Sequence, residues 1–489
     1  MNHFHLTRFI ITLSVGVLLL VWSGCSAESP GKIPITTTSQ EALKDFMIGR
    51  DLFDKLRGQE SLQHFQNAIQ KDANFAMAYL FNSFSQPTIK GFFDQLDKAV
   101  ALKDKVSEGE RMWIEAVRAG ADGFPMKQRE IYQKLVVDYP NDERAYTLLG
   151  NNYFGTQEYE KAIEQYKKSI AINPDFSQPY NQMGYAYRFL EQFDEAESAF
   201  KRYVELIPDD PNPYDSYAEL LMKIGKYDES IEQYQKALKV NPNFVASHIG
   251  IATNYNFKGE YGKARDQLKK LFEIARDDGE KRAARFAMTV SYVDEGNMDK
   301  ALEELQWQFE LGKKNNDAPN MTGDLTSMGN ILCEMGKYDD ALVKFEKALA
   351  VTNQSNLGED VKEITRRVYL YNNARVALMK KDLQKAKTDA AALMEQAKAA
   401  DNTFQIWLAH EISGRIAMYE KDYEKAIADL QLANLQNPYN LYRLAKIYKE
   451  KGDTKMAKDF CKRAANHNTL NSLQYAFMRH KAKEMLKTM

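Results

Sequence analysis

Prolines recur at a fixed interval in the middle of this chain, and the interval constrains the fold more than any other feature. Pro140, Pro174, Pro208 and Pro242 each follow the previous one by 34 residues. Aromatic and small residues keep the same register, at Tyr146, Tyr180, Tyr214; Gly150, Gly184, Ala218; Ala162, Ala196, Ser230; and Tyr166, Phe200, Tyr234. Such a period indicates tandem copies of one supersecondary unit, because each copy buries its apolar face against the next.

The spacing inside one period predicts two helices. Tyr146, Leu149 and Gly150 are spaced i, i+3 and i+4, which places them on one face of the first helix. The small residue lets a second helix approach, and Ala162 fills the matching position there. Proline ends the second helix, since it lacks an N–H and clashes with the preceding turn. Glycines that can adopt the left-handed conformation mark the turn between the helices, at Gly225, Gly259 and Gly336.

This order of aromatic, small, small, aromatic and closing proline resembles the tetratricopeptide repeat. The resemblance covers residues 42–470, roughly twelve units, and implies an all-α fold, a right-handed α-solenoid of helical hairpins. The expected divisions are N-terminal units over 42–142, a regular array over 143–281, a looser array over 282–470 and a capping helix over 471–489. One N-terminal unit, residues 76–108, is degenerate, and we expect Pro87 and Gly91 to interrupt it.

Residues 1–25 are typical of an export signal. Residues 9–22 form an uncharged apolar run of 14 residues, short of the roughly 20 that a membrane-spanning helix needs. The small residues directly before Cys25 resemble the lipobox of bacterial lipoproteins. This resemblance implies cleavage before Cys25, acylation of its thiol and new amine, and a lipid-anchored place in the cell envelope. An ordinary secretory signal, cut after Ala27 or nearby, stays open as the alternative.

Residues 26–40 are polar and contain proline and threonine. We expect them to form a flexible tether between the lipid and the fold. The outer membrane or the periplasmic face then suits the protein better than the cytoplasm.

Composition and motifs argue against catalytic and nucleic-acid-binding classes. Lys and Arg total 66 against 68 Asp and Glu, so there is no basic excess for nucleic acid. Cys25, Cys333 and Cys461 are far apart, and the last two are expected to be apolar fillers. The sequence has no HExxH, P-loop, GxGxxG or GxSxG motif. We therefore predict no enzyme, no cofactor and no metal site.

In the tetratricopeptide family the first helix of each hairpin lines a concave surface that binds a peptide or another protein. Mapped onto this sequence, the central part of that surface includes Asn151, Asn181, Tyr185, Arg188, Asp215 and Asn256. The C-terminal part includes Tyr371, Arg375, Arg415, Tyr442, Arg443 and Lys446. Arg and Tyr are common at interfaces, and the four cations of the second set predict an acidic partner segment.

The chaperone-binding members of the family clamp a terminal carboxylate with Lys and Asn at set positions. Asn151 fits one of these positions, but Thr147 stands where the first Lys is needed. Asn212 and Ser216 replace the later basic pair. We therefore do not expect this chain to bind chaperone C-terminal tails.

The sequence leaves two functions open. An envelope-anchored adaptor would bind a protein or peptide in an open polar groove. A sensor or regulatory module would bind a small envelope ligand in an apolar pocket with convergent polar groups. An enzyme would need a polar site that crosses repeats, and it has the least support.

Overall fold

The computed structural model describes residues 31–55 and 57–489, and every regular element in these ranges is helical. The prediction of an all-α solenoid is confirmed. The predicted signal segment and Cys25 lie outside the described residues.

Consecutive helices pair as twelve hairpins in the described part of the chain. The helices of the first six hairpins are α1 (Gln40–Asp54), α2 (Gly58–Lys71), α3 (Ala76–Phe84), α4 (Ile89–Ala101), α5 (Glu108–Ala121), α6 (Pro125–Asp138), α7 (Glu143–Gly155), α8 (Tyr159–Ile172), α9 (Gln178–Phe189), α10 (Phe193–Leu206), α11 (Pro211–Lys223) and α12 (Tyr227–Val240). The helices of the last six are α13 (Val245–Phe257), α14 (Tyr261–Ile274), α15 (Asp278–Glu295), α16 (Met298–Lys314), α17 (Ala318–Glu334), α18 (Tyr338–Gln354), α19 (Glu359–Met379), α20 (Leu383–Ala399), α21 (Thr403–Tyr419), α22 (Tyr423–Leu432), α23 (Pro438–Glu450) and α24 (Thr454–Ala465). A short 3-10 helix, Lys103–Lys105, precedes α5, and α25 (Leu473–Lys487) follows the last hairpin.

The periodic residues act as the sequence predicted. The helices α6, α8, α10 and α12 end two residues before the periodic prolines, at Asp138, Ile172, Leu206 and Val240. The turn glycines Gly225, Gly259 and Gly336 have φ angles of +86°, +79° and +74°. In the hairpin formed by α7 and α8, the small residue of the first helix faces the aromatic ring of the second helix. A Cβ on Gly150 would lie 2.5 Å from Cε1 of Tyr166.

Two glycines of α17 give a matched test of this packing. A Cβ on Gly329 would lie 2.3 Å from Cε1 of Phe345, whereas a Cβ on the exposed Gly323 would meet nothing within 4 Å. We expect Gly329→Ala to destabilise the protein by about 1–3 kcal/mol, because Phe345 is buried and cannot move away freely. Gly323→Ala should instead stabilise it by about 0.5–1 kcal/mol. Urea unfolding of both variants measures the two effects, and equal shifts would contradict this account.

The degenerate N-terminal unit has a short first helix. Helix α3 has 9 residues, whereas α7 and α11 have 13 each. The chain leaves α3 through Ser85 and Gln86 to Pro87, as expected from a proline that cannot continue the helix. The predicted break at Gly91 is wrong, because α4 already begins at Ile89 and the Thr88 hydroxyl caps the Gly91 N–H at 3.0 Å.

Residues 31–39 form an extended segment, here called the N-terminal strap, which crosses three inter-helix loops. The Ile33 N–H donates to Asp142 at 3.0 Å, the Thr36 N–H to Glu110 at 2.8 Å, and the Thr37 hydroxyl to Asp72 at 2.6 Å. Ile33 and Ile35 are buried, since alternate side chains of an extended segment share one face. The expected flexible tether over 26–40 therefore does not describe residues 31–39, which pack on the first units.

Helix α25 packs on α23 and α24 at the end of the array and also folds back onto α15. Leu473, Ala476 and Phe477 share an apolar cluster with Val290 and Leu325. The capping helix predicted over 471–489 thus also covers the first helices of hairpins eight and nine.

Other contacts join distant parts of the array. The Lys223 ammonium donates to the carbonyl of His467 at 2.9 Å, and Gln157 donates to Asn434 at 2.6 Å. The C-terminal units therefore lie against the earlier ones. None of the described helices is both long and apolar enough to span a membrane.

Candidate functional site

The residues predicted for the central concave surface are mostly buried. Asn181, Arg188, Asp215 and Asn256 are each less than 9% exposed. Arg188 pairs with Glu219 at 3.1 Å. Asp215, Asn256 and Tyr185 also contact neighbouring helices, through the hydrogen bonds Ser247–Asp215 (2.6 Å), Ser291–Asn256 (2.8 Å) and Tyr185–Ser216 (3.3 Å). These side chains therefore hold successive units together. Asn151 lines a different cavity, to which we return below.

The residues predicted for the C-terminal concave surface come together. A cavity of about 680 Å³ is lined by all six of them, at Tyr371, Arg375, Arg415, Tyr442, Arg443 and Lys446. Helix α17 adds Asn330 and Glu334, and α25 adds Phe477 and Lys481. We call this space the cationic cavity.

Three successive first helices supply its central side chains with the same spacing. Helix α19 carries Tyr371 and Arg375, α21 carries Glu411 and Arg415, and α23 carries Tyr439 and Arg443, each pair at i and i+4. Residues four apart lie on one helical face, so each helix presents a ring or carboxylate beside a guanidinium group. Glu411 was not among the residues predicted from the sequence. Its i, i+4 relation to Arg415 was the signal that could have found it.

Glu411 is the carboxylate at the centre of this group. It accepts hydrogen bonds from the Tyr371 hydroxyl at 2.6 Å and the Asn437 amide at 3.1 Å, and it pairs with Arg443 at 3.1 Å. Burial alone would raise the pKa of Glu411, but Arg443 and Arg415 outweigh it and lower the pKa to about 2. Glu411 is therefore an anion throughout the ordinary pH range.

The positive charges in the cavity exceed the negative ones. Arg375 has no carboxylate within 4.0 Å among the described residues; it bonds the amide oxygens of Asn330 at 2.9 Å and Asn372 at 3.1 Å. Arg415 reaches only Glu411, at 3.9 Å, and its buried Nη1 has no hydrogen-bond partner in the described structure. Burial and the neighbouring guanidinium groups lower the pKa of Arg415 to about 10. Three guanidinium groups thus lie around one carboxylate, and only Arg415 and Arg443 are within 4.0 Å of it.

The remaining charges do not remove this excess. Glu334 already pairs with Lys481 at 2.7 Å and accepts from the Tyr439 hydroxyl at 2.7 Å. Lys446 is exposed at the rim. The cavity is therefore suited to an anion.

One cluster of the described chain resembles a set of catalytic groups by composition. Asp429 accepts from Ser413 at 2.6 Å and contacts His410 at 2.9 Å. The serine donates to the aspartate and not to the histidine, so the histidine does not act as its general base. In the described part of the chain, no group of His, Cys, Asp and Glu side chains could hold a metal ion.

Twelve stacked helical hairpins with a concave inner surface define the class of α-solenoid repeat proteins. Within that class, segments of the chain match family models of the tetratricopeptide repeat. The family profile described as TPR repeat matches residues 150–188 and 218–256. The profile described as tetratricopeptide repeat matches residues 177–210 and 438–466.

Solved structures with a similar fold include three proteins. A tetratricopeptide repeat protein from Parabacteroides merdae is 15% identical over 58% of this chain and 98% of its own, with a TM-score of 0.36. MamA is 22% identical over 34% of this chain and 92% of its own, with a TM-score of 0.28. YrrB, a TPR protein with an unusual peptide-binding site, is 21% identical over 36% of this chain and 89% of its own, with a TM-score of 0.26. These likenesses concern the fold alone.

Proposed function

We propose that this chain is a scaffold that binds an acidic segment of a partner protein in the cationic cavity. The observation that carries the proposal is the set of three guanidinium groups, Arg375, Arg415 and Arg443, around the single carboxylate of Glu411. Charges withdrawn from water without a partner are costly. An acidic side chain entering the cavity removes that cost and gains charge-assisted hydrogen bonds.

Arg375 and Arg415, which make fewer contacts with carboxylates than Arg443, are the groups expected to contact the partner. Arg443 is held by Glu411 and by Asn440 at 2.7 Å, so it is already positioned. Arg375 and Arg415 have no close carboxylate partner in the described chain. Lys446 at the rim then attracts the acidic segment before it enters, an effect that salt weakens.

Fluorescein-labelled hexaglutamate is a direct probe for this site. We expect its binding, followed by anisotropy at low salt, to weaken at least about tenfold in the variant Arg375→Gln/Arg415→Gln, since each lost charged contact is worth more than about 1.4 kcal/mol. The control Lys201→Gln/Arg202→Gln changes charge equally on α10, where both side chains are exposed. It should stay within about twofold of the original protein.

The double arginine variant alters buried groups, so its thermal unfolding is measured in parallel. The exposed Lys446→Glu supplies a second variant that leaves the buried groups intact, and it should also weaken binding. Hexaglutamate binding that is equal in all four proteins, or absent from the original one, overturns the proposal.

We further propose that the scaffold is anchored in the cell envelope by acyl chains on Cys25. The small residues directly before Cys25 support this. Gly31 accepts a hydrogen bond from the Asn141 N–H at 3.2 Å, six residues after Cys25. Six residues span at most about 20 Å, so the loop between α6 and α7 would lie near the membrane surface.

Mass spectrometry of the mature N-terminus tests the anchor. We expect the chain from the native envelope to begin at Cys25 with acyl groups on its thiol and amine. Cys25→Ala should release the protein into the soluble fraction, because no acylated thiol remains. An unmodified start at another residue would show an ordinary secretory signal instead.

A further inference from the structure

A second cavity is lined mainly by residues of the first four hairpins. It has a volume of about 400 Å³, and one wall consists of six aromatic rings, at Phe53, Phe81, Phe84, Phe92, Trp113 and Tyr132. We call it the aromatic cavity. Of its lining, only Asn151 was predicted from the sequence as a site residue.

The short helix of the degenerate unit explains why this space exists. Helix α3 ends at Phe84, about one turn earlier than the first helices of regular units. Phe84 is consequently 37% exposed, although it stacks on Phe53 at 5.7 Å between ring centroids. Phe81 lies edge-on to Trp113 at 5.6 Å. A full-length α3 would cover this wall; the short one leaves it open to an apolar occupant.

The charges beside the cavity cancel. Asp54 pairs with Arg144 at 3.0 Å, Arg144 with Glu143 at 3.1 Å, and Glu143 with Lys32 at 2.8 Å. Two cations alternate with two anions in this chain of contacts. This chain of contacts has no net charge, in contrast to the cationic cavity, so a neutral ligand suits this site.

Two hydrogen-bond donors of residues that line the cavity lack an acceptor among the described residues. Trp113 is 6% exposed, and its Nε1–H has no hydrogen-bond partner among the described residues. The Nε–H of Arg144 is likewise buried without a partner there. A buried donor without an acceptor is destabilising, because it has lost its hydrogen bonds to water. A ligand with a carbonyl or a similar acceptor could remove part of that cost after a small movement of the ring.

We infer that the aromatic cavity binds a small, neutral ring-containing molecule that carries a hydrogen-bond acceptor. The rings of Phe53, Phe84 and Trp113 pack on the ligand's ring, and the Trp113 indole donates to its acceptor. The volume lies within the usual range for small-molecule pockets. This inference is independent of the acidic partner proposed for the cationic cavity, since the two sites share no lining residue.

Three probes of similar size test separately whether the ligand needs a hydrogen-bond acceptor and whether it must be neutral. Acetophenone has a ring and a neutral acceptor, cumene lacks the acceptor, and benzoate carries a charge. Binding is followed by fluorine NMR of the full chain labelled with 5-fluorotryptophan, with the Trp113 signal assigned from Trp113→Phe. We expect acetophenone to shift that signal with a dissociation constant on the order of 1 mM, about tenfold tighter than cumene or benzoate.

Two variants and a control identify the site. Val117→Phe fills the cavity, which Val117 lines, whereas Val137→Phe adds the same ring at a position 74% exposed. Val117→Phe should abolish binding and Val137→Phe should not. In Trp113→Phe, followed by isothermal titration calorimetry, acetophenone should lose its preference over cumene. Thermal unfolding confirms that each variant is folded.

The possible outcomes each decide the inference. No saturable shift with any probe, or equal binding to Val117→Phe and the original protein, overturns the site. Equal affinities for acetophenone and cumene would contradict the claim that the ligand needs a hydrogen-bond acceptor. Stronger binding of benzoate than of acetophenone would contradict the claim that the ligand is neutral.

Discussion

Glu411→Gln is expected to lower the free energy of unfolding by about 3 kcal/mol, because removing one partner of a buried ion pair leaves uncompensated charge. Glu411 is 3% exposed and lies among Arg375, Arg415 and Arg443. Glutamine keeps one acceptor for the Tyr371 hydroxyl but removes the carboxylate that pairs with Arg415 and Arg443. The mutual repulsion of the three guanidinium groups then acts against α19, α21 and α23 packing together.

Urea unfolding followed by circular dichroism measures the change. Glu424→Gln is the control, since Glu424 pairs with Lys451 on the surface with an 83% exposed side chain, and it should change stability by less than about 1 kcal/mol. Adding Arg415→Gln to Glu411→Gln should recover part of the loss by removing one unpaired charge. A Glu411→Gln variant as stable as the original protein would show that the cluster is hydrated and not buried.

The pH dependence of the free energy of unfolding tests the interaction of Glu411 with the arginines independently. A carboxyl group whose pKa is lower in the folded state stabilises the protein above its unfolded pKa, about 4.3 for Glu. The pKa of Glu411 is lowered to about 2. Its contribution is therefore complete above about pH 4.5 and is lost as the pH falls towards 2. Glu411→Gln should lack this component of acid destabilisation.

The regular units could be read from the sequence because their determinants are local. The residues that set a hairpin, such as Gly150 and Tyr166 or the proline at 174, lie within one period of each other. The cationic residues were predicted by mapping the concave surface of the tetratricopeptide family onto this sequence. Tyr371 and Arg375 are four residues apart, so helical periodicity alone places them on one face.

The remaining features depend on contacts between residues far apart in the chain. Thr36 meets Glu110 across 74 positions, which turns part of the expected tether into a strap. Asn256 accepts at its carbonyl from Arg479, 223 positions away, so a residue expected on an open surface lies under α25. No short-range pattern encodes either contact. The aromatic cavity was missed for another reason: it results from the helical turn that α3 lacks.

The second large effect is expected at the attachment of α25. Arg479 donates from Nε to Asp294 at 2.9 Å, and a second bond joins its Nη2 to the other carboxylate oxygen. Both side chains are 3% exposed. We expect Arg479→Met to cost about 3–5 kcal/mol, because the carboxylate of Asp294 stays buried without its partner. Amide hydrogen exchange should rise along α25 before it rises in α11 and α12.

A double-mutant cycle measures the interaction energy between Arg479 and Asp294 apart from their contacts with other residues. Asp294→Leu should cost a similar amount to Arg479→Met, whereas Arg479→Met/Asp294→Leu should cost less than either alone, since apolar groups can replace a buried pair with little loss. Lys487→Met is the control, because Lys487 pairs with Glu484 on the exposed face of the same helix. Additive costs in the double variant would mean that the two side chains act separately. In that case apolar packing around Phe477, and not the ion pair, holds α25 against the concave side of the array.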